Sequence, residues 1–305
     1  MDHTTYGMLM KVYSTEFIIG SLGNGFIVLM NCMDWAKRRK LSTVDQILTL
    51  IAIFRIALLW LVLIGIALSL HYPGLFMSNI IIRMICISWV VANHFSNWLA
   101  TCLSIFYFLK VANFCSSTFH SLTCRVRKVV LMTLLVSLLL LSLNVVMTNA
   151  YVDFSADGST SNKSYSSSWN NASQVTKVLL FTCSAFTALP FTVSLTTCVL
   201  LIVSLRKHMK KMQHNLGAGR DGSTSAHITA LRTMMSFLPL YAIFLLLLII
   251  QISKFKTLEE RTIIIYDQII GTAFSIGHSC VLILADSKLR PAALTGLWCV
   301  RGKVS

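Results

Sequence analysis

Long apolar runs alternate with short polar stretches along the whole chain. A helix that crosses a bilayer needs about 20 predominantly apolar residues. Seven runs approach or exceed that length, and each lacks the strict alternation that would indicate a half-buried strand. We therefore predict an all-α membrane protein, a single domain over 1–305. Its seven transmembrane helices cover residues 12–33, 45–70, 84–109, 129–149, 178–205, 230–252 and 263–285.

Composition supports a membrane environment. Hydrophobic residues make up 55% of the chain and charged residues 12%, whereas a soluble domain carries about 25% charged residues. The first run begins among Lys11 and Glu16, and it resembles a signal peptide. No small-residue cleavage site follows it, and the run is too long for one. We expect it to be a retained first helix.

The net charge of +15 comes from 26 Lys and Arg against 11 Asp and Glu. In a soluble chain this excess would indicate nucleic acid. Here seventeen of the basic residues fall between helices one and two, three and four, and five and six, or after helix seven, against seven on the other side. The positive-inside rule then places the N-terminus outside and the C-terminus in the cytoplasm. We expect the lipid bilayer, and no nucleic acid, as the partner of this surface.

That orientation divides the polar segments between the two sides. We expect a short extracellular N-terminus (1–11), an extracellular loop (150–177), a cytoplasmic loop (206–229) and a cytoplasmic tail (286–305). The loop 150–177 holds two N-glycosylation acceptor patterns, at Asn162 and Asn171. It contains no cysteine, so a disulfide from this loop to helix three is excluded. Cys299 in the tail is either palmitoylated or an inert thiol.

Arg55 is the most unusual residue of the apolar runs, because it lies in the middle of helix two. Ionisable groups in the membrane are costly, so they usually face the interior of a bundle. We expect Arg55 to be a structural or switching hub. Its candidate partners are Glu16 and Asn24 in helix one, and His278 or Ser279 in helix seven.

Helix three carries polar and aromatic side chains together. Trp89 and Asn93 are one turn apart and share a face. Trp98 is nine residues from Trp89, a spacing that predicts the opposite side of the helix. Trp89 is either an anchor at the membrane interface or, with Asn93, a wall of a pocket.

Helices six and seven present two further faces. Phe237, Tyr241, Phe244 and Leu248 form an aromatic and apolar stripe on helix six, a pattern that simple packing also produces. Polar residues form the second stripe, on helix seven, and should point inward: Gln268, Thr272, Ser275 and Ser279. Together these faces predict an aromatic-walled cavity with few polar anchors.

Signals for catalysis are absent from the sequence. It has no HExxH motif, no pair of mid-membrane aspartates and no recognisable Ser/His nucleophile elbow. Helix seven has no lysine to hold retinal as a Schiff base. We predict that the protein is not an enzyme and has no cofactor or metal.

The predicted layout resembles the G-protein-coupled receptors, and local motifs resemble the type 2 (bitter) taste receptor family. The motifs are Gly23 to Ile27 in helix one, Trp98 to Phe114 in helix three, Pro190 to His208 in helix five, His227 to Tyr241 in helix six, and His278 to Leu284 followed by Lys288-Leu289 in helix seven. Three positions depart from the family pattern: Phe54 replaces serine, Pro239 leucine and Asp286 asparagine. The last two bear on basal activity and coupling.

The resemblance implies a plasma-membrane receptor that binds bitter small molecules in an outward-facing pocket and activates a gustducin-type G protein. It implies ligand contacts at Trp89, Asn93, His94, Phe186, Tyr241, Phe244 and Gln268. Asn24, Arg55, His278 and Ser279 would form the structural switch, and Lys110, His208 and Lys211 would face the G protein. Because Gln268 supplies no carboxylate and Asp267 is rotated away, we expect neutral or weakly polar agonists.

Two alternatives remain at this stage. A vomeronasal-type pheromone receptor shares the layout, although the motifs of helices three and seven favour the taste family. A small polytopic transporter, with Arg55 and His278 on a polar path, is the other. The odd number of helices and the lack of internal duplication count against it.

Overall fold

The computed structural model describes residues 3–72, 78–112, 126–160, 185–204, 206, 239–240, 242–247, 249–250, 260–286 and 288–301, and these contain helices and no strands. The helices are α1 (His3–Ala36), α2 (Thr43–His71), α3 (Asn79–Ala112), α4 (Val126–Thr160), α5 (Ala185–Ser204), α6 (helical residues within 239–250), α7 (Glu260–Ala285) and α8 (Leu289–Arg301). The predicted all-α fold is confirmed.

Four helical stretches of the described chain are long and apolar enough to cross a membrane: Met10–Ala36, Thr43–Leu68, Lys128–Ala150 and Ala185–Ser204. A fifth is added if α7 and α8 are counted together across their break. Several helices are longer than the predicted spans, because backbone hydrogen bonding continues beyond the apolar run. Thus α1 already begins within the predicted N-terminal segment, and α4 continues into the predicted loop 150–177.

Helix α2 packs against α1 and α3, α1 also packs against α7, and α3 packs against α4. Buried side chains at the centre of this arrangement form one apolar cluster that includes Ile27, Ile51, Leu103 and Leu282. Large apolar side chains also cover the outside: Leu22 is 70% exposed and Leu139 is 72% exposed. Water does not solvate such a surface favourably, so the outer faces of these helices are suited to lipid.

Gly20 lets α1 approach α2 and α7 closely. A Cβ atom at this position would lie 2.8 Å from Leu59 Cδ1 and 2.9 Å from Ile276 Cγ1. Small residues at such contacts are the usual way in which membrane helices bring their backbones together.

Phe54, the first of the three departures from the family pattern, adds an aromatic contact between α2 and α3. Its ring stacks on that of Phe95, with centroids 4.8 Å apart. The pair therefore contributes apolar packing and a favourable ring geometry at this helix–helix contact.

Asp286 lies between α7 and α8 and caps the second of these helices. Its Oδ1 accepts hydrogen bonds from the amides of Lys288 (2.8 Å) and Leu289 (2.9 Å). This satisfies donors that the first turn of a helix leaves free. Helix α8 was not predicted from hydropathy, because it is short and has exposed polar and apolar residues together.

Lys288 fixes the start of α8 to α1. Its Nζ lies 2.5 Å from Asp34 Oδ2 and donates to Asn31 Oδ1 at 2.9 Å. The Nδ2 atom of Asn31 donates in turn to Thr49 Oγ1 (2.9 Å) in α2. The ends of three helices are thus held by one polar cluster.

Candidate ligand-binding site

Arg55 is 1% exposed and connects three helices. Its Nε donates to Ser96 Oγ in α3 at 3.3 Å, and its Nη1 donates to Ser279 Oγ in α7 at 2.8 Å. Its Nη2 donates to Nδ1 of His278, also in α7. A guanidinium suits this role because its donors form a rigid planar fork. The structure thus brings Arg55 together with two of the partners predicted for it.

Asn24 joins this network through Ser279. The Oγ of Ser279 donates to Asn24 Oδ1 at 2.7 Å, and Asn24 Nδ2 donates to the carbonyl of Gly20 at 2.8 Å. Both residues are buried. The polar network therefore extends from α2 through α7 to α1.

Glu16 was predicted as a possible partner of Arg55, and this is wrong. Its Oε2 accepts a hydrogen bond from Thr272 Oγ1 at 2.5 Å. The contact is a separate link between α1 and α7. Helical spacing alone allowed Glu16 to face either Arg55 or Thr272. Which of them it meets depends on how deep α1 lies relative to α2 and α7.

A narrow cavity lies between α2, α3 and α7, with about 20 Å³ of space for the centre of a water-sized sphere, which is room for little more than one water molecule. We call it the α2–α7 cavity. Polar groups at its wall come from Arg55, Asn93, Thr272 and Ser275, and Trp89 supplies an aromatic face. The polar stripe predicted on α7 therefore does point inward at Thr272 and Ser275.

A second cavity of about 10 Å³, on the same measure, lies between α3, α4 and α5. We call it the α4–α5 cavity. Its lining comprises Trp89, Val90, Asn93, His94, Asn97, Trp98, Asn144, Phe186, Thr187 and Pro190. Four of the predicted ligand contacts, Trp89, Asn93, His94 and Phe186, thus face one space.

Trp89 and Asn93 line both cavities. The prediction that they share a face of α3 is therefore consistent with the structure, and that face forms a partition between the two spaces. The Oδ1 of Asn93 accepts a hydrogen bond from Asn97 Nδ2 at 3.3 Å, which holds its amide in place.

Trp98 was predicted to face away from Trp89, and this is wrong. Trp98 lines the α4–α5 cavity with Trp89, and its ring centroid is 5.9 Å from that of His94. The reason lies in the environment of α3, because every residue from 96 to 106 is buried. A helix with protein on all sides has no face that is excluded from the interior.

Thr101 connects α3 to α5 beside the α4–α5 cavity. Its Oγ1 lies 3.0 Å from both the carbonyl oxygen of Pro190 and Ser194 Oγ. Pro190 itself lines the cavity. The proline of α5 is therefore held by a specific polar contact.

Phe244 of α6 is 7% exposed and stacks on Phe274 of α7, with centroids 5.0 Å apart. It lines neither of the two cavities described above, so the structure shows Phe244 packing between helices. The other predicted residues of α6 and of the loops lie outside the described residues: Tyr241, His208, Lys211, Asn162 and Asn171. Only the backbone is described for Gln268 and Lys110.

Sequence reasoning missed Asn144 and Asn97, which both line the α4–α5 cavity. Asn144 is 6% exposed within a leucine-rich stretch of α4. A single amide in such an apolar run could have identified Asn144 from the sequence, because a polar group in an apolar helix tends to face the protein interior. Among the described residues no group of three or more His, Cys, Asp or Glu is placed to hold a metal ion.

Comparison with known proteins places this architecture in a family. The family model described as Taste receptor protein (TAS2R) matches residues 1–301. Taste receptor type 2 member 140 of Rattus norvegicus is 51% identical over 99% of this chain and 96% of its own length. Taste receptor type 2 member 14 of Macaca mulatta is 47% identical, covering 99% of this chain and 94% of its own. Taste receptor type 2 member 14 of Homo sapiens is 46% identical, covering 95% of this chain and 91% of its own length.

These matches extend over nearly the whole chain, including every helix that lines the two cavities. The apolar outer surface and the buried polar network fit a protein that crosses the membrane several times. The chain therefore belongs to the type 2 taste receptor family of G-protein-coupled receptors, and it is a multi-pass plasma-membrane receptor, not an enzyme.

Proposed function

We propose that this receptor binds bitter small molecules between its helices and activates a gustducin-type heterotrimeric G protein. The observation that carries the proposal is the shared lining of the two cavities by Trp89 and Asn93. The indole of Trp89 and the amide of Asn93 lie on one face of α3. This combination suits a small, largely apolar ligand with few polar groups.

In this proposal Trp89 stacks on the ligand and Asn93 forms a hydrogen bond with it. His94 and Phe186 complete the wall on the side of α5. Tyr241, Phe244 and Gln268 remain proposed contacts on α6 and α7. Phe244 would act through its ring contact with Phe274, and Tyr241 would relay occupancy to the movement of α6.

Activation follows from a shift in population. An agonist that binds the active arrangement of helices more tightly than the inactive one enriches the active state by that difference in affinity. The hydrogen bonds of Arg55 to Ser96 and Ser279 join α2 to α3 and α7. Movement of one of these helices therefore affects the other two. Lys110, His208 and Lys211 are proposed to face the G protein on the cytoplasmic side.

The test is a screen of bitter compounds against cells that express the receptor with a promiscuous G protein, with calcium release as the signal. Hits are repeated on Trp89→Ala and Asn93→Ala, for which we expect at least a tenfold loss of potency. Trp60→Ala is the matched control, because Trp60 is 50% exposed on α2 and lines neither cavity.

Surface labelling of each variant separates loss of binding from loss of folding. Equal potency of the Trp89→Ala variant and the wild type, at equal surface expression, would contradict the proposed pocket. Responses that persist in cells without the G protein would contradict receptor signalling, and ion flux in such cells would favour the transporter alternative. Replacing the promiscuous G protein by a gustducin-type protein then tests the coupling partner.

A further inference from the structure

Arg55 carries a positive charge in the interior of the bundle, and its hydrogen-bond partners are all neutral. They are the hydroxyl groups of Ser96 and Ser279 and the Nδ1 atom of His278. A guanidinium only donates hydrogen bonds, so Nδ1 of His278 carries no proton and this ring is neutral. The network therefore provides acceptors for Arg55 but does not balance its charge.

No carboxylate balances this charge in the part of the chain that the structure describes. The ion pairs found there are formed by other side chains, and none includes Arg55. Glu16 contacts Thr272 instead. Buried charges in proteins are almost always paired, because a single charge loses much free energy when it leaves water. The counter-charge of Arg55 therefore calls for a source other than these side chains.

The α2–α7 cavity adjoins the charge, because Arg55 is part of its wall. The cavity leaves about 20 Å³ for the centre of a water-sized sphere. That is room for one water molecule, or for one monatomic anion, which is only slightly larger. A carboxylate, a phosphate or a sulfate group is too large for this space. Size alone thus restricts the occupant to a single small particle.

The wall also offers hydrogen-bond donors to an occupant. A guanidinium has five N–H groups, and three of those of Arg55 are engaged, which leaves two. Asn93 accepts from Asn97 through its Oδ1, so its Nδ2 remains as a donor. The hydroxyl group of Ser275 donates to the carbonyl of Gly271 at 3.1 Å, and it can rotate to donate into the cavity instead.

An anion suits this wall better than water or a cation does. It accepts hydrogen bonds from several donors at once, and it attracts the guanidinium strongly where the dielectric constant is low. Water balances no charge, and a cation would be repelled by Arg55. Chloride is the monatomic anion that is abundant around cells.

We propose that the α2–α7 cavity binds one chloride ion as the counter-ion of Arg55. The ion lies between α2, α3 and α7, which are the three helices that the hydrogen bonds of Arg55 already join. Its binding therefore stabilises their packing. This site goes beyond the recognition of bitter molecules and does not rest on it, so either proposal stands if the other fails.

The experiment measures the melting temperature of the purified full-length receptor in detergent, with sodium chloride or sodium gluconate at equal ionic strength. Gluconate is too large for the cavity. A ligand that binds only the folded state stabilises it once the ligand concentration exceeds the dissociation constant. We expect the wild type to melt about 2–4 °C higher in chloride. The effect should saturate as one site, and bromide should replace chloride.

General effects of the two salts on the protein surface act on every variant alike, so the quantity compared is the melting temperature in chloride minus that in gluconate. Ser275→Val fills the cavity and should reduce this difference to zero. Ser275→Thr adds one methyl group, keeps the hydroxyl group and should reduce the difference in part. Ala273→Val is the matched control, because Ala273 is exposed on the same helix and lines neither cavity. Its difference should equal that of the wild type.

A difference of zero in the wild type would show that water alone occupies the cavity, and the proposal would be wrong. A difference as large in the Ser275 variants as in the wild type would assign the chloride effect to another surface and would also overturn it. If Ser275→Val does not fold, the smaller change in Ser275→Thr still decides between these results.

Discussion

Arg55 and Ser279 lie on different helices, α2 and α7, and are joined by a hydrogen bond of 2.8 Å from Arg55 Nη1 to Ser279 Oγ. Ser279 also donates to Asn24, so one hydroxyl group serves three helices. A buried guanidinium needs such partners, because an unpaired charge in the membrane interior is costly.

The first prediction concerns this hydroxyl. Ser279→Ala removes the acceptor of Arg55 and the donor to Asn24, and both of these residues are at most 1% exposed. We expect a loss of about 1–3 kcal/mol in the free energy of unfolding, measured as a lower melting temperature of the detergent-solubilised receptor. Cys280→Ala is the control, because the neighbouring Cys280 is exposed. A melting temperature equal to that of the wild type would show that the network does not depend on Ser279.

The second prediction concerns the contact at Gly20. Gly20→Val places side-chain atoms against the buried Leu59 and against Ile276, and we expect a destabilisation of about 1–3 kcal/mol, typical of overpacking. Gly25→Ala is the matched control in the same helix, because a Cβ there meets nothing within 4 Å. That control should be neutral, or stabilised by up to about 1 kcal/mol through helix propensity. Equal effects of the two substitutions would contradict the close approach of the helices.

The third prediction concerns the cap of α8. Asp286→Ala removes the acceptor for two backbone amides and should destabilise α8 by about 0.5–2 kcal/mol. Asp286→Asn keeps a side-chain oxygen and should behave like the wild type. Hydrogen exchange of residues 289–301 measures the effect directly. Equal exchange in the wild type and in Asp286→Asn would show that aspartate and asparagine are interchangeable as caps. Faster exchange in Asp286→Asn would contradict this and would show that the negative charge of Asp286 is needed to stabilise α8.

The fourth prediction concerns the charge of the agonists. Arg55 lines the α2–α7 cavity, and among the residues whose side chains are described no carboxylate belongs to the lining of either cavity. A permanent cation would lose its hydration there and meet a like charge, which is unfavourable in a medium of low dielectric constant. We expect neutral agonists to be more potent than quaternary ammonium analogues of matched size. The comparison of dose–response curves decides this, and stronger activation by the ammonium series would refute it.

Much of the fold could be predicted from the sequence, because apolar runs of the length of a bilayer have few alternatives. The central parts of α1 to α5 and of α7 coincide with the predicted apolar runs. Helix α8 is different: it is short and depends on a local cap at Asp286, which hydropathy does not report.

The candidate site could be predicted only in part. Helical spacing places Trp89 and Asn93 on one face, and the resemblance adds His94 and Phe186. Spacing cannot say which helices surround a face, and so it misjudged Trp98 and overlooked Asn144. The choice between Glu16 and His278 as partners of Arg55 likewise depends on the relative depth of three helices, which no single segment encodes.

The continuous burial of α3 from residue 96 to residue 106 also limits how this segment can vary. On a helix with one lipid face, tolerance to substitution rises and falls with the turn. Along these eleven positions a saturation mutagenesis profile should instead be uniformly low, without a helical period. Receptors with different ligand preferences would then differ less at 99–106, beyond the cavity lining, than at Trp89, Asn93 and His94, and this part of the helix would serve as a fixed axis around which ligand recognition diversifies.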